Sequence, residues 1–186
     1  FVLDDYLKRI GFSGPLAANA DTLARLMRAQ LFSVPFENLD VQAGKVVSMT
    51  PEDIVQKIVS QPRGGYCYEV NGLFAMALQA IGLPYCLLAA RPMFYPVRRP
   101  KTHMVLLVRA YGLDWLCDLG FGSYGIRAPM ALDGLDTSVV QDDDLTVIPG
   151  IKVYREDVRK VIIDITTIPT ATTGVQASSF HVDISP

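Results

Sequence analysis

The sequence predicts an α+β protein with its helices first and its strands after. Up to Ile81 the apolar residues recur every three or four positions, as on buried helical faces. From Tyr85 onward the apolar runs turn short, β-branched and bounded by turn residues. The change falls at Gly82-Leu83-Pro84, a pair of chain breakers around one apolar residue, and divides the chain into 1–83 and 84–186.

Val2 to Ile10 reads as a short amphipathic helix, and Asp21 caps a second that runs through Gln30. Thr50-Pro51-Glu52-Asp53 supplies a cap residue, a proline at the first helical position and an acid that completes a capping box. That helix reaches about Ser60. A fourth starts at Cys67, with Val70, Leu73 or Phe74, Ala77, Leu78 and Ile81 along one face and Gly82 as its left-handed end. The expected strands are Cys86–Arg91, Met104–Arg109, Asp114–Leu119, Thr146–Ile148, Ile151–Arg155 and Val158–Ile165. No internal repeat is evident, and Asp142-Asp143-Asp144 reads as a solvated turn.

Composition narrows the class. The 186 residues suffice for one large or two small folding units, and half of them are hydrophobic. A net charge of −2 gives no electrostatic case for a nucleic-acid partner. No run of ~18 apolar residues suggests a membrane span, and Phe1-Val2-Leu3-Asp4-Asp5 does not read as a signal peptide. The expected location is the cytoplasm, with no membrane partner. Three cysteines without paired spacing argue against a disulfide framework or a zinc cluster, so no metal is expected. Cys86 and Cys117 read as buried strand residues.

Cys67 reads differently. In Arg63-Gly64-Gly65-Tyr66-Cys67 the thiol falls in the first turn of its helix, where unpaired N–H groups and the helix dipole favour negative charge. A thiol so placed loses its proton more easily, and the thiolate is the nucleophile. Gly64 and Gly65 let the backbone come close to whatever Cys67 reacts with. The alternative is an inert core cysteine.

The second half of the chain supplies partners. His103 begins one apolar run, and Leu113–Leu119 forms another after Ala110-Tyr111-Gly112, so the two make a hairpin. A turn at Ala110-Tyr111 sets Arg109 opposite Gly112 and carries His103 opposite Asp118. Directly opposed residues share a face with Cβ atoms ~5 Å apart, close enough for an imidazole and a carboxylate to bond. A one-residue slip would separate them onto opposite faces. Taken singly, His103 could be a satisfied strand histidine and Asp118 a turn acid ahead of Gly120 and Gly122. Together with Cys67 they supply nucleophile, base and orienting acid.

With these residues in place, the chain resembles the arylamine N-acetyltransferases. The resemblance rests on Pro35-Phe36-Glu37-Asn38-Leu39-Asp40-Val41, on Arg63 through Asn71, on Thr102-His103 and its strand, and on Asp118-Leu119-Gly120-Phe121-Gly122. It covers about residues 3–128 and weakens after Pro129, where Ser178-Ser179-Phe180 is only faintly similar to the family's end-of-barrel segment. The resemblance implies a catalytic triad of Cys67, His103 and Asp118. It also implies a papain-like cysteine-transferase arrangement, a helical bundle carrying the cysteine followed by an antiparallel β-barrel. A third α/β lid domain is not evident in the chain. The implied activity is ping-pong transfer of an acetyl group from acetyl-CoA, the co-substrate, through a Cys67 thioester to an arylamine, arylhydrazine or N-arylhydroxylamine.

Phe36, Tyr66, Tyr68 and Phe121 flank the triad and are the candidates for an apolar acceptor slot, with ordinary core packing as the alternative. Arg98, Arg99 and Lys101, with Thr102 and Gly122, are the candidate contacts for the polyanionic coenzyme, against the reading of a solvated basic loop. Glu37 and Arg63 are expected to pair and hold the cysteine turn. Other functions stay open on the same residues: an amide synthase, a papain- or transglutaminase-like hydrolase, or an inactive interaction module.

Overall fold

The computed structural model describes residues 1–92, 100–122, 125–132, 137–139, 150–157, 160–166 and 178–183. It is an α+β fold: helices α1 (Leu3–Arg9), α2 (Ala20–Ser33), α3 (Leu39–Gln42), α4 (Pro51–Val55) and α5 (Cys67–Ala80), then one antiparallel sheet. Helix α2 starts earlier than expected. Asn19, not Asp21, caps it, accepting from the Thr22 N–H at 2.7 Å. Asp21 lies one turn below Arg25 and pairs with it on the surface at 2.8 Å, a stable use for an acid in a first turn. Thr50 caps α4 as its pattern predicts, its hydroxyl accepting from Asp53 N–H at 3.3 Å. After Val55 the chain loosens into one π-helical turn, Gln56–Ser60. Arg9 closes this corner, donating to the carbonyls of Ile58 at 2.8 Å and Ser33 at 2.7 Å, helix-end acceptors that lack intrahelical donors.

The strands are β1 (Tyr85–Pro92), β2 (His103–Ala110), β3 (Leu113–Cys117), β4 (Met130–Ala131), β5 (Thr137–Val139), β6 (Gly150–Asp157), β7 (Lys160–Thr166) and β8 (Ser178–Asp183). They pair in the order β4-β3-β2-β1-β8-β7-β6-β5. No pairing between β4 and β5 closes this sheet into a barrel among the described residues. Strands β4, β5 and β8 were not expected; β4 and β5, of two and three residues, leave too short a pattern to read, and β8 is a six-residue strand in a Thr/Ser-rich stretch. The expected strand Thr146–Ile148 and the turn at Asp142 lie outside the described residues.

The hairpin differs from expectation in a way that matters for the site. Tyr111 (φ 52°) and Gly112 (φ 76°) are both left-handed and form the two-residue turn, so Ala110 pairs with Leu113 and Leu106 with Cys117. Turns with two left-handed central residues match the twist of the flanking strands, which is why the chain turns here and not at Ala110-Tyr111. The register is two residues away from the one expected, and β3 ends at Cys117. An even shift keeps His103 and Asp118 on one face but makes them diagonal neighbours, still within reach of an imidazole.

One apolar core crosses the Gly82–Pro84 junction. Leu26, Met27, Leu73, Phe74 and Leu78 from the helices and Val105, Leu106, Leu116 and Met130 from the sheet are buried in it. Helix α5 lies on β2, bringing its first turn to the end of β2 where His103 stands. Within the core the Tyr6 hydroxyl donates to Gln30 Oε1 and Gln30 Nε2 donates to the Val70 carbonyl, each at 2.8 Å. Among the described residues no helix is long and apolar enough to cross a membrane.

Candidate active site

Cys67 is the first residue of α5 and is 7% exposed. Its loop is shaped by close packing. Phe36 and Gly65 bridge two chain segments, Glu37 N–H donating to Gly65 O at 3.0 Å and Gly65 N–H to Pro35 O at 3.2 Å. A Cβ on Gly64 would land on the Pro35 carbonyl oxygen, and one on Gly65 would lie 2.7 Å from Glu69 Cβ. The glycine pair thus allows close internal packing around the cysteine.

His103 lies at the start of β2, 6% exposed, and Asp118 just past the end of β3, 1% exposed. His103 Nε2 and Asp118 Oδ2 are 2.7 Å apart. With Nε2 so engaged, Nδ1 remains for the side-chain hydrogen bond that His103 shares with Cys67. Burial pulls the imidazole toward its neutral form. The charge and hydrogen bond of Asp118, with the hydrogen bond to Cys67, outweigh this and lift the histidine from 6.5 to about 10. The three residues expected to form the triad are thus brought into one hydrogen-bonded chain. Cys117, beside Asp118, is different: full burial pushes its thiol up, the form that does not attack. Cys86 departs from expectation, exposed on β1 where burial was predicted.

Asp118 is held from the other side as well. Its Oδ1 accepts from Gly120 N–H at 3.0 Å and from Asn71 Nδ2 at 3.4 Å. Asn71 itself was not singled out from the sequence, although it closes the cysteine block; one asparagine on a helix gives no signal of its own. Gly120 packs against Cys67, so that a Cβ there would lie 2.5 Å from Cys67 Cα.

A charge network braces the loop from outside. Arg63 Nη2 meets Glu37 Oε1 at 2.8 Å, the expected pair, and Asp40 Oδ2 at 2.9 Å. Lys57, aimed inward from the π-helical turn, meets Glu69 Oε1 at 2.7 Å and Asp40 Oδ2 at 3.1 Å. Burial alone would lower Lys57; its carboxylate partners reverse this and raise it. Hydrogen bonds from Lys57, Arg63 and Lys45 hold the Asp40 carboxyl well below the usual range. Glu69, buried, also accepts the Tyr66 N–H at 3.0 Å, so the network fixes the residue before Cys67.

The candidate aromatic residues divide. Phe36 and Phe121 line a cleft of about 170 Å³ with Leu31, Val34, Pro35 and Leu119, and Asp118 reaches its wall. The Phe121 ring stands edge-on to the His103 imidazole, centroids 5.5 Å apart. Tyr66 and Tyr68 do not reach this cleft; their rings pack against each other at 5.4 Å. Lys101 and Thr102 lead directly into His103, Lys101 half-buried and Thr102 exposed. Gly122 is left-handed (φ +80°), and a Cβ on it would meet the Phe36 ring at 2.8 Å. Arg98 and Arg99 lie outside the described residues. Among the described residues no group of His, Cys, Asp or Glu side chains could hold a metal ion.

Comparison with known proteins gives the chain a family. A family model described as N-acetyltransferase matches residues 19–148. The chain is 37% identical over 133 residues to the arylamine N-acetyltransferase of Escherichia coli K12, an alignment covering 70% of this chain and 47% of that protein. It is 33% identical over 135 residues to human arylamine N-acetyltransferase 1, again 70% of this chain and 47% of the relative. The chain spans about half the length of these curated relatives. The structure superposes on the arylamine N-acetyltransferase of Salmonella typhimurium with a TM-score of 0.83 at 26% identity, covering 98% of this chain and 63% of that one. The Mycobacterium marinum enzyme, solved in complex with CoA, matches with a TM-score of 0.79 at 28% identity over 100% of this chain and 66% of that one. On the match to the family model, with these relatives and folds behind it, the chain belongs to the arylamine N-acetyltransferase family.

Proposed function

We propose that this chain carries the acyl-transfer centre of an arylamine N-acetyltransferase and moves an acetyl group from acetyl-CoA to the nitrogen of an arylamine, arylhydrazine or N-arylhydroxylamine. The observation that carries the reading is the buried chain Cys67–His103–Asp118, with His103 lifted to about 10. The Cys67 sulfur, hydrogen-bonded to His103, is the nucleophile. The thiolate attacks the acetyl carbonyl, the carbon–sulfur bond to coenzyme A breaks, and His103 gives its proton to the departing thiolate. The neutral imidazole then takes the proton of the amine as its nitrogen attacks the Cys67 thioester, and the cysteine leaves as thiolate. Asp118 holds the ring throughout, with its charge facing Nε2.

Substrate placement belongs to the same reading. The cleft lined by Phe36 and Phe121, with Asp118 and Arg127 also on its wall, offers aromatic surface for the acceptor ring. Lys101, Thr102 and Gly122, with Arg98 and Arg99, receive the anionic coenzyme, as cations attract a polyphosphate toward the thiol. The finer architecture is part of the proposal too: residues 1–83 as a helical bundle, residues 84–186 as the barrel of a papain-like cysteine transferase. The site of action is the cytoplasm.

The test is incubation with acetyl-CoA alone, followed by intact mass. One acetyl group on Cys67, discharged when an aniline or hydrazide is added, supports the reading. An unmodified thiol, or intersecting double-reciprocal lines in steady state, refutes it.

A further inference from the structure

We propose that Asn71 is a positioning residue for the triad, its one amide tying together the three segments that carry Cys67, His103 and Asp118. The proposal rests on the reading of Cys67 as nucleophile. Asn71 lies four residues after Cys67, one turn along the same face of α5, and is fully buried. Its Nδ2 donates to the Met104 carbonyl at 2.7 Å, next to His103, and to Asp118 Oδ1 at 3.4 Å. Its Oδ1 accepts from Leu119 N–H at 2.9 Å, next to Asp118.

The chemistry of the side chain matters here. Two acceptors and one donor converge on it, and only an amide offers two N–H donors and a carbonyl acceptor at this size. An aspartate would keep the bond to Leu119 and lose both donors. It would also set a second carboxylate against Asp118 in a buried place, where one of the two must take up a proton. Alanine would leave Leu119 N–H and Met104 O without their partner and Asp118 with one donor fewer. The remaining ionisable groups of this cluster are Cys67, His103 and Cys117. Asn71 touches none of the reacting atoms; it acts through Asp118 and the end of β2.

The experiment compares alkylation of Cys67 by iodoacetamide at neutral pH in the unmodified protein, Asn71→Ala and Asn71→Asp, read by peptide mass. Exposed Cys86 serves as internal reference. Cys67 should react roughly 10- to 100-fold more slowly in both variants, the size of effect seen when outer-shell partners of a site are removed. Cys86 should react at the unmodified rate. The ¹⁵N signal of His103 Nε2 should also move in Asn71→Asp, a change that a merely structural role would not produce. A folded variant whose Cys67 reacts at the unmodified rate, with His103 unshifted, overturns the proposal. Should neither variant fold, the side-chain NH₂ signal of Asn71 is compared between the unmodified protein and Asp118→Asn; a shift supports the proposal and an unchanged signal overturns it. Alkylation needs no acetyl-CoA, so failure of the acetyl-transfer reading would show separately as an unacetylated Cys67 in the unmodified protein.

Discussion

Replacing Gly120 by alanine adds one carbon atom at a close contact with Cys67. That atom would lie 2.5 Å from Cys67 Cα, 2.9 Å from Val70 Cγ2 and 3.0 Å from Cys67 Cβ. Carbon atoms rest at ~3.5–4.0 Å, so about 1 Å must open between Gly120 and the start of α5. The nearest atom is backbone and cannot swing aside like a long side chain. The cysteine and the strand end carrying Asp118 must therefore move apart. Overpacking of this kind costs roughly 1–3 kcal/mol in stability. A displacement of about 1 Å at a reacting group costs on the order of 10²-fold in rate. Two measurements check this: the urea unfolding midpoint and the rate of Cys67 alkylation at neutral pH, with Cys86 as reference. Gly82→Ala is the control, since Gly82 is left-handed (φ +78°) with nothing within 4 Å of the added atom. It should lose about 1–2 kcal/mol through backbone strain and leave Cys67 as reactive as before. Unmodified Cys67 reactivity in a folded Gly120→Ala protein would refute the packing argument.

Further outcomes follow from the same geometry. Asp118→Asn should fold yet transfer acetyl groups up to ~10⁴-fold more slowly, because the imidazole loses its orienting charge; the measurement is single-turnover acylation of Cys67. Because His103 is raised from 6.5 to about 10 in the folded state, the folded protein binds more protons between those values, and stability should fall as pH rises through that window. Urea midpoints from pH 6 to 10 test the sign, and Asp118→Asn should flatten the slope. Lys57→Met should destabilise by about 3–5 kcal/mol, leaving buried Glu69 and its neighbours uncompensated, with partial recovery in Lys57→Met/Glu69→Gln. Breaking the surface pair Arg25–Asp21 should change the midpoint by less than ~1 kcal/mol.

The sequence by itself determined the order of helices before strands, the start of α5 at Cys67, the cap at Thr50 and the shared face of His103 and Asp118. Each of these depends on residues close together in the chain: a cap, a proline, an apolar stripe, or a turn whose parity decides which side chains share a face. Parity survived even though the hairpin register did not. The choice between Ala110-Tyr111 and Tyr111-Gly112 rested on which residues accept left-handed backbone, and Tyr111 does so only because its partner strands demand that twist. Tertiary structure alone decided the rest. The glycines at 64, 65 and 120 are explained by Pro35, Glu69 and Cys67, each reached only after folding. Lys57 is an ordinary surface cation until a π-helical turn aims it at a buried carboxylate. Asn71 gains its three partners from β2 and from the segment after β3, 33 to 48 residues away along the chain. Local residues choose the elements; the distant contacts that align a thiol, an imidazole and a carboxylate exist only once those elements pack.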